Sequence, residues 1–390
     1  MIKKVLIIAF NEKWTGISRL PSGLDRAGFE VYALCPAQSY LASTRFLKDS
    51  ILFPTFTYAR SKLIYLWMIA AIFIFKPDLI IPGDEDAILA LQNLSNRLLK
   101  VSFLKIIPKV IRKSMTAQAF DFVMLAKSDF QKKCNEWKLR TPMNFVVDNL
   151  ASALIAASRL HYPLVIKMDA GYGGHGVFIC YDHKDLENYF QGLFKTTIVF
   201  KIKKFIKNLF FVSIFSSNCK ISLQQFIKGT EGQAPFCANE GHVFGQNAMK
   251  RVRTLTSTTG PSTVIEGIVN PEIENYVKIV ANELKYTGFG SLEFIIEEKS
   301  GLPYVIEFNP RPTPTCHISN SIMPNDLCRL FFRGLNNLPI KLGEFMPYTL
   351  AMYPGELLRD PQSSFLREAY HDIPTDDLAL LKTLGNSIKP

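Results

Sequence analysis

Apolar runs recur along the first 85 residues in a pattern that alternates strand and helix. VLIIAF (5–10), FEVYALC (29–35) and the LIIP of PDLIIPGDED (77–86) read as short buried strands. Between them lie a helix through Leu20 to Ala27, closed by Gly28, and the thirteen-residue apolar run Leu63–Phe75. Strands alternating with helices predict a parallel, Rossmann-like sheet. A helical stretch follows to about Ser114, and Phe120 to Leu125 is apolar again. Beyond Lys127 the pattern changes. DFQKKCNEWKLR reads as a helix broken by Thr141-Pro142, 143–147 as a strand, and LASALIAASRLH as a helix with Asp148 as its expected N-cap. Past ISLQQFI (221–227), the stretch GTEGQAPFCANEGHVFGQNAM predicts antiparallel strands turning at Asn239 to Gly241. The helix IENYVKIVANELKY, ended by Gly288, then precedes a hairpin of SLEFIIE and YVIEF joined through EEKSGLP. The fold class is therefore α/β, with an α+β character after the first domain.

IKMDAGYGGHGVFI (166–179) sets Gly171, Gly173 and Gly176 in G-x-G-x-x-G spacing, with Gly174 among them. A dinucleotide site needs a helix after those glycines, because its N-terminal amides hold the pyrophosphate. Here Leu164 to Ile166 lead in and Val177 to Cys180 lead out, so the glycines cap a hairpin whose backbone is able to close over an anion. A protein-kinase loop shares that shape, but its lysine follows the glycines and H-R-D and D-F-G occur later. Neither triplet is present, and Lys167 precedes the loop. The turn FNEKWTG after the first strand also lacks the three glycines, so the first domain is not expected to bind a dinucleotide.

The last predicted hairpin sets Glu293 and Glu307 on adjacent strands, with Asn309 on the same face as Glu307 and Arg311 just beyond. Carboxylates with an amide oxygen suit magnesium, a hard cation that shares its shell with substrate phosphates. A guanidinium beside them suits a carboxylate or a transferring phosphoryl group.

In order, the chain carries a lysine-led helix from Lys127, P-L-V-I-K-x-x-x-G-x-G-G-x-G-V, L-Q-Q-F-I-K-G-T-E, G-F-G-S-L-E-F and V-I-E-F-N-P-R-P. This run, over roughly 120 to 315, resembles the ATP-grasp superfamily, carboxylate-amine ligase type, with the ATP-binding fold of carbamoyl-phosphate synthase and biotin carboxylase. The resemblance implies a Rossmann-like domain (1–115), a two-lobed ATP-grasp domain (116–340, glycine-loop lobe about 160–228) and a C-terminal extension (341–390). It implies that Lys127, Lys167 and the backbone of Gly171, Gly173, Gly174 and Gly176 contact ATP phosphates. Gln225, Phe226 and Ile227 would read the adenine edge and Glu231 the ribose hydroxyls. Glu293, Glu307 and Asn309 would ligate Mg2+, with Mn2+ as a substitute. Arg311, with Lys167, would stabilise the acyl-phosphate step, and Lys250, Arg251 and Arg253 resemble positions that approach phosphate or the acid. Where many relatives carry a glutamate, Gln224 and Gln225 depart from the pattern. The implied activity is ATP-dependent joining of a carboxylate to an amine. The alternatives are a bicarbonate-activating enzyme of the carboxylase or carbamoyl-phosphate type, or a non-catalytic nucleotide-binding protein at a membrane surface.

Charge and cysteines adjust this picture. The 390 residues carry a net charge of +11. Residues 188–230 contain seven lysines and no acid, and the centre, IVFKIKKFIKNLFFV, interleaves them with apolar residues, so a peripheral membrane contact through 196–217 stands beside a core-packed helix with a basic edge. No nucleic-acid-binding pattern accompanies the charge, so small-molecule partners are expected and a homodimer through the first domain is compatible. Leu63–Phe75 is shorter than the ~20 residues needed to span a bilayer and is expected to be a buried helix. The seven cysteines show no C-x-x-C and no regular pairing, and the six apolar residues before Asn11 are short for a signal segment, so a reducing cytoplasm is expected. His175 and His317 are expected to be incidental to chemistry.

Overall fold

The computed structural model describes residues 1–54, 63–99, 101, 104–115, 127–168, 177–192, 221–256 and 260–386. In the first domain, β1 (Lys4–Ile8), β2 (Glu30–Pro36), β3 (Asp49–Phe53) and β4 (Leu79–Pro82) form a parallel sheet of order β3-β2-β1-β4. Val5 to Ile8 are fully buried, as befits a strand covered on both faces. One face carries α1 (Thr15–Ala27), which starts earlier than expected and ends at Gly28, held at φ 108° where a Cβ would strain the cap. The other carries α2 (Leu63–Phe75), α3 (Glu85–Leu98) and α4 (Ile106–Ser114) around one apolar cluster.

The strand β3 is missing from the sequence reading because DSILF opens on an acid and is half-exposed at the sheet edge, which weakens its apolar signal. The helix α2 is real but not buried throughout, since Leu66 and Ile74 are 62% and 63% exposed.

Two further sheets follow. The smaller one, of order β5-β8-β6-β7, joins β5 (Asn144–Val147), β6 (Leu164–Met168), β7 (Val177–Cys180) and β8 (Ile221–Gln225), all antiparallel. Helix α5 (Lys127–Glu136) precedes it, and α6 (Leu150–Leu160) and the helical residues 183–192 cover one face. The N-cap of α6 is Asn149 instead of Asp148: its side chain accepts from Ser152 N at 2.9 Å, and Ser152 closes a reciprocal capping box.

The large sheet contains β9 (Gly229–Asn239), β10 (His242–Gln246), β11 (Ala248–Thr254), β12 (Ser262–Ile268), β13 (Gly288–Glu297), β14 (Pro303–Asn309), β15 (Thr349–Ala351) and β16 (Tyr370–His371). Its order is β14-β13-β9-β11-β12-β15-β16, with β10 on β9. Helix α7 (Pro271–Glu283) packs on one face through Ile273, Val277 and Val280. On the opposite face, Cys237 and Phe289 join Val5, Ile7, Leu20 and Leu24 of the first domain and Leu330 and Phe331 of α8 (Leu327–Leu335) in one continuous core. Thus residues 341–390 are not merely an appendage: β15 extends the large sheet, and Asp372 pairs with Arg19 of α1 at 3.0 Å.

Candidate active site

Side chains alternate along β13, so Phe289, Ser291 and Glu293 lie on the face that meets the first domain. The row changes from apolar to acidic where that contact ends. Register pairs Glu293 with Glu307 and Ser291 with Asn309, and an irregularity between Glu293 and Phe294 skips Ile306 on the partner strand. Such a bulge re-aims the side chains beside it. Asn309 Nδ2 donates to Glu293 Oε1 at 2.8 Å. Burial, then the facing Glu307 carboxylate, push the Glu293 carboxyl up to about 7, against the opposing pull of Arg251 and Arg311.

Arg311 closes the group from the domain boundary. Its Nε donates to Glu85 Oε1 at 2.7 Å, and its guanidinium lies over the Trp14 ring, 5.0 Å from the centroid. Burial disfavours this cation, but Glu85, Glu293 and Glu307 outweigh that and hold its pKa above the ordinary value. Glu85 is the first residue of α3. The preceding Asp84 caps that helix by accepting from Ala87 N at 2.8 Å and also accepts from Phe10 N at 2.6 Å, so it ties the loop after β1 to the loop after β4. Neither Trp14 nor Glu85 figures in the sequence reading. The available signal was position: both stand at the C-terminal ends of parallel strands, where open α/β sheets place their ligands.

The basic run on β11 divides. Arg251 bonds Glu231 and donates to Ser262 Oγ at 2.9 Å, and it acts electrostatically on Glu293. Lys250 pairs with Glu266 at 3.1 Å, and Arg253 lies over the Phe365 ring of the C-terminal region at 5.5 Å. Only Arg251 of the three is brought to the carboxylates. On the small sheet, Leu164, Ile166 and Leu223 face the helices, so Lys167, Ser222 and Gln224 face the other way. Lys167 sits at the end of β6, and the strand-loop-strand frame stands because Lys167 pairs with Val177 across β6 and β7. Gly171, Gly173, Gly174, Gly176 and His175 lie outside the described residues, as do 196–217, and only the backbone of Lys127, at the start of α5, is described. Gln225, Phe226 and Ile227 form the link from β8 into β9, where the small sheet meets the large one; Gln225 N–H donates to Met143 O at 2.8 Å. His317 is buried, with Nε2 3.2 Å from Asp372 Oδ1, and takes no part in this cluster.

Residues 126–333 match the carbamoyl-phosphate synthase L chain ATP-binding domain. The chain belongs to that family. It is similar to the carbamoyl phosphate synthase large chain of Buchnera aphidicola, 29% identical over 194 residues, 48% of this chain and 16% of that one. It is 26% identical over 273 residues to the chloroplastic phosphoribosylamine–glycine ligase of Arabidopsis thaliana, covering 65% of this chain and 46% of the relative. The chain thus spans less than half the length of these relatives. Among solved structures, the biotin carboxylase domain dimer of Hydrogenobacter thermophilus 2-oxoglutarate carboxylase, in complex with MgADP, ADP and bicarbonate, superposes with a TM-score of 0.63 at 16% identity, over 90% of this chain and 74% of that one. The fold is the ATP-grasp fold with its N-terminal domain, as the resemblance implied.

The residues of this ATP-binding domain suit the groups the family implies. Gln224 Nε2 and, across the strand pair, Asn144 Oδ1 are buried without partners among the described residues, beside the link expected to read adenine. Such orphaned groups carry a desolvation cost that a polar ligand relieves. For the cation, two opposed carboxylates and an amide make an all-oxygen set, and the Glu293 pKa, raised first by burial and then by the facing Glu307, marks a place where a divalent ion would offset the carboxylate charge. Among the described residues no group of three or more His, Cys, Asp or Glu is placed to hold a metal ion, and two carboxylates with an amide suit a cation that shares its shell with substrate oxygens or water.

Proposed function

We propose that this chain is a ligase that uses Mg-ATP to activate a carboxylate as an acyl phosphate and joins it to an amine, releasing ADP and phosphate. The observation that carries the reading is the convergence of Glu293, Glu307 and Asn309 with Arg311 at the seam between the first domain and the large sheet. In the reaction a carboxylate oxygen attacks the γ-phosphorus while the bond to the β-phosphate oxygen breaks. The amine nitrogen then attacks the acyl carbon, phosphate leaves with the acid's oxygen, and the nitrogen loses a proton. Magnesium, held by Glu293, Glu307 and Asn309, would neutralise phosphate charge. Arg311, clamped by Glu85 and Trp14, presents a fixed cation to the acid and to the charge developing during transfer. Lys167 neutralises phosphate from the small sheet, and closure of the lobes keeps water from the acyl phosphate.

The partners in this reading are a small acid and a small amine. A cytoplasmic setting accords with the six described cysteines, all buried and unpaired. The test is ADP and phosphate release from Mg-ATP with pools of acids, amines and bicarbonate, in the wild type and in Glu307→Gln. Release that requires both an acid and an amine, and falls by about two orders of magnitude in the variant, is expected for a loss of transition-state electrostatics. Undiminished release in Glu307→Gln would sink the site assignment, and release stimulated by bicarbonate alone would replace the acceptor.

A further inference from the structure

Helix α2 has an outer face unlike that of an ordinary surface helix. It contains no charged residue, and while Ile64, Met68, Ala71 and Phe75 face the first sheet, Leu63, Leu66, Phe73 and Ile74 are 48%, 62%, 42% and 63% exposed. A surface helix of a globular domain normally turns polar residues to water at those positions. In the other helices of the same layer, Leu99 and Ile106 are 41% and 56% exposed.

The exposed charges of the neighbouring stretch 97–113 are all basic. Arg97, Lys105, Lys109, Arg112 and Lys113 are exposed, and none forms an ion pair among the described residues. Residues 87–120 contain no acid at all, nor do residues 50–77. Arg97 lies over the Tyr65 ring of α2 at 5.1 Å, which places a cation directly beside the apolar stripe. We propose that this face docks the protein on a bilayer surface rich in anionic lipid, with α2 lying in the interfacial plane.

The dimensions and charges select that occupant. At 1.5 Å per residue the helix is about 20 Å long, short of the ~30 Å hydrocarbon core, so it lies on the bilayer instead of crossing it. No described helix is long and apolar enough to cross a membrane. A stripe about 20 Å by about 10 Å offers on the order of 200 Å², against roughly 800 Å² per partner in a standard protein interface. A second copy would also bring like charges together around a twofold axis. Nucleic acid would satisfy the cations and leave Leu66, Phe73 and Ile74 in water. An anionic bilayer accepts both the apolar stripe and the basic stretch. The catalytic sheet packs on the opposite face of the first sheet, through α1, so docking leaves the carboxylate cluster accessible.

Sedimentation of the full chain with phosphatidylcholine vesicles, with and without phosphatidylglycerol, at low and high salt, tests this. The protein is expected to pellet only with phosphatidylglycerol vesicles and to be released by salt. Leu66→Asn with Phe73→Asn, and separately Lys105→Glu with Lys109→Glu, should each weaken partition by about tenfold or more, from the apolar and the charge contributions respectively. All four positions are exposed, and an unchanged melting temperature will show that the fold survives. Absence of binding to anionic vesicles overturns the proposal, as does wild-type partition by both variants. So does a lipid-free dimer, seen by analytical ultracentrifugation, that the Leu66→Asn, Phe73→Asn variant dissociates.

Discussion

Glu293 is a half-buried carboxyl group facing another carboxylate, and its pKa of about 7 against an ordinary 4.5 means that the folded protein holds this proton more tightly than the unfolded chain. A group with a raised folded pKa contributes stability that is present below the unfolded value and is lost as pH rises through the folded one. In metal-free protein the melting temperature should therefore fall as pH rises from 4.5 towards about 7, with this contribution level beyond. Thermal melts in chelator are expected to show a flatter slope in Glu293→Gln. Equal slopes in the two proteins would mean that the pair is better solvated than its burial implies. At this scale the sequence was enough to place Glu293, Glu307 and Asn309 together, because strand alternation puts Glu307 and Asn309 on one face and the hairpin register brings Glu293 opposite. It could not separate Arg251 from Lys250 and Arg253, since their partners Glu231, Glu266 and Phe365 come from three other segments.

Among elements, the N-terminus of α3 is the one that reaches into the site. Its dipole and free amides favour acidic residues there, with Asp84 at the N-cap and Glu85 and Asp86 in the first turn. Glu85 in turn orients Arg311, so Glu85→Gln removes a charge-assisted bond worth about 1.5–3 kcal/mol. Steady-state kinetics should show kcat lower by about tenfold or more, with the KM for ATP nearly unchanged, because in the proposed reaction Arg311 acts on the transferring group more than on nucleotide binding. A rise in KM at constant kcat would instead assign Glu85 to substrate binding. The elements that sequence missed share a cause. The edge strand β3 and the shift from Asp148 to Asn149 at the α6 cap depend on one or two hydrogen bonds or half-exposed positions, which leave little periodic signal.

For the molecule as a whole, the C-terminal region is a structural tie between domains. Asp372 accepts from Arg19 of the first domain and pairs with His317 beyond β14, all three nearly inaccessible to water. The Arg19 and His317 environments hold the Asp372 carboxyl below its ordinary value even though burial opposes this. Asp372→Ala leaves a buried guanidinium without its carboxylate, and urea unfolding should register a loss of about 3–5 kcal/mol. A wild-type midpoint in that variant would show that the tail packs without bearing on the domain junction. The continuous core of Val5, Leu20, Cys237, Phe289 and Phe331 predicts that the first domain and the large sheet unfold together.

By itself the sequence determined the α/β class, the lysine-before-glycine hairpin and the paired acidic strands, because these rest on short-range periodicity and turn chemistry. Tertiary structure decided how they meet. Arg311 finds Glu85 across 226 residues and Arg19 finds the Asp372 carbonyl across 353, and no local pattern encodes a partner at such a distance. The same holds for α2. Its thirteen apolar residues announce a helix, but whether its outer face meets the core or water depends on what the rest of the chain packs against it, and Leu66 and Ile74 remain exposed.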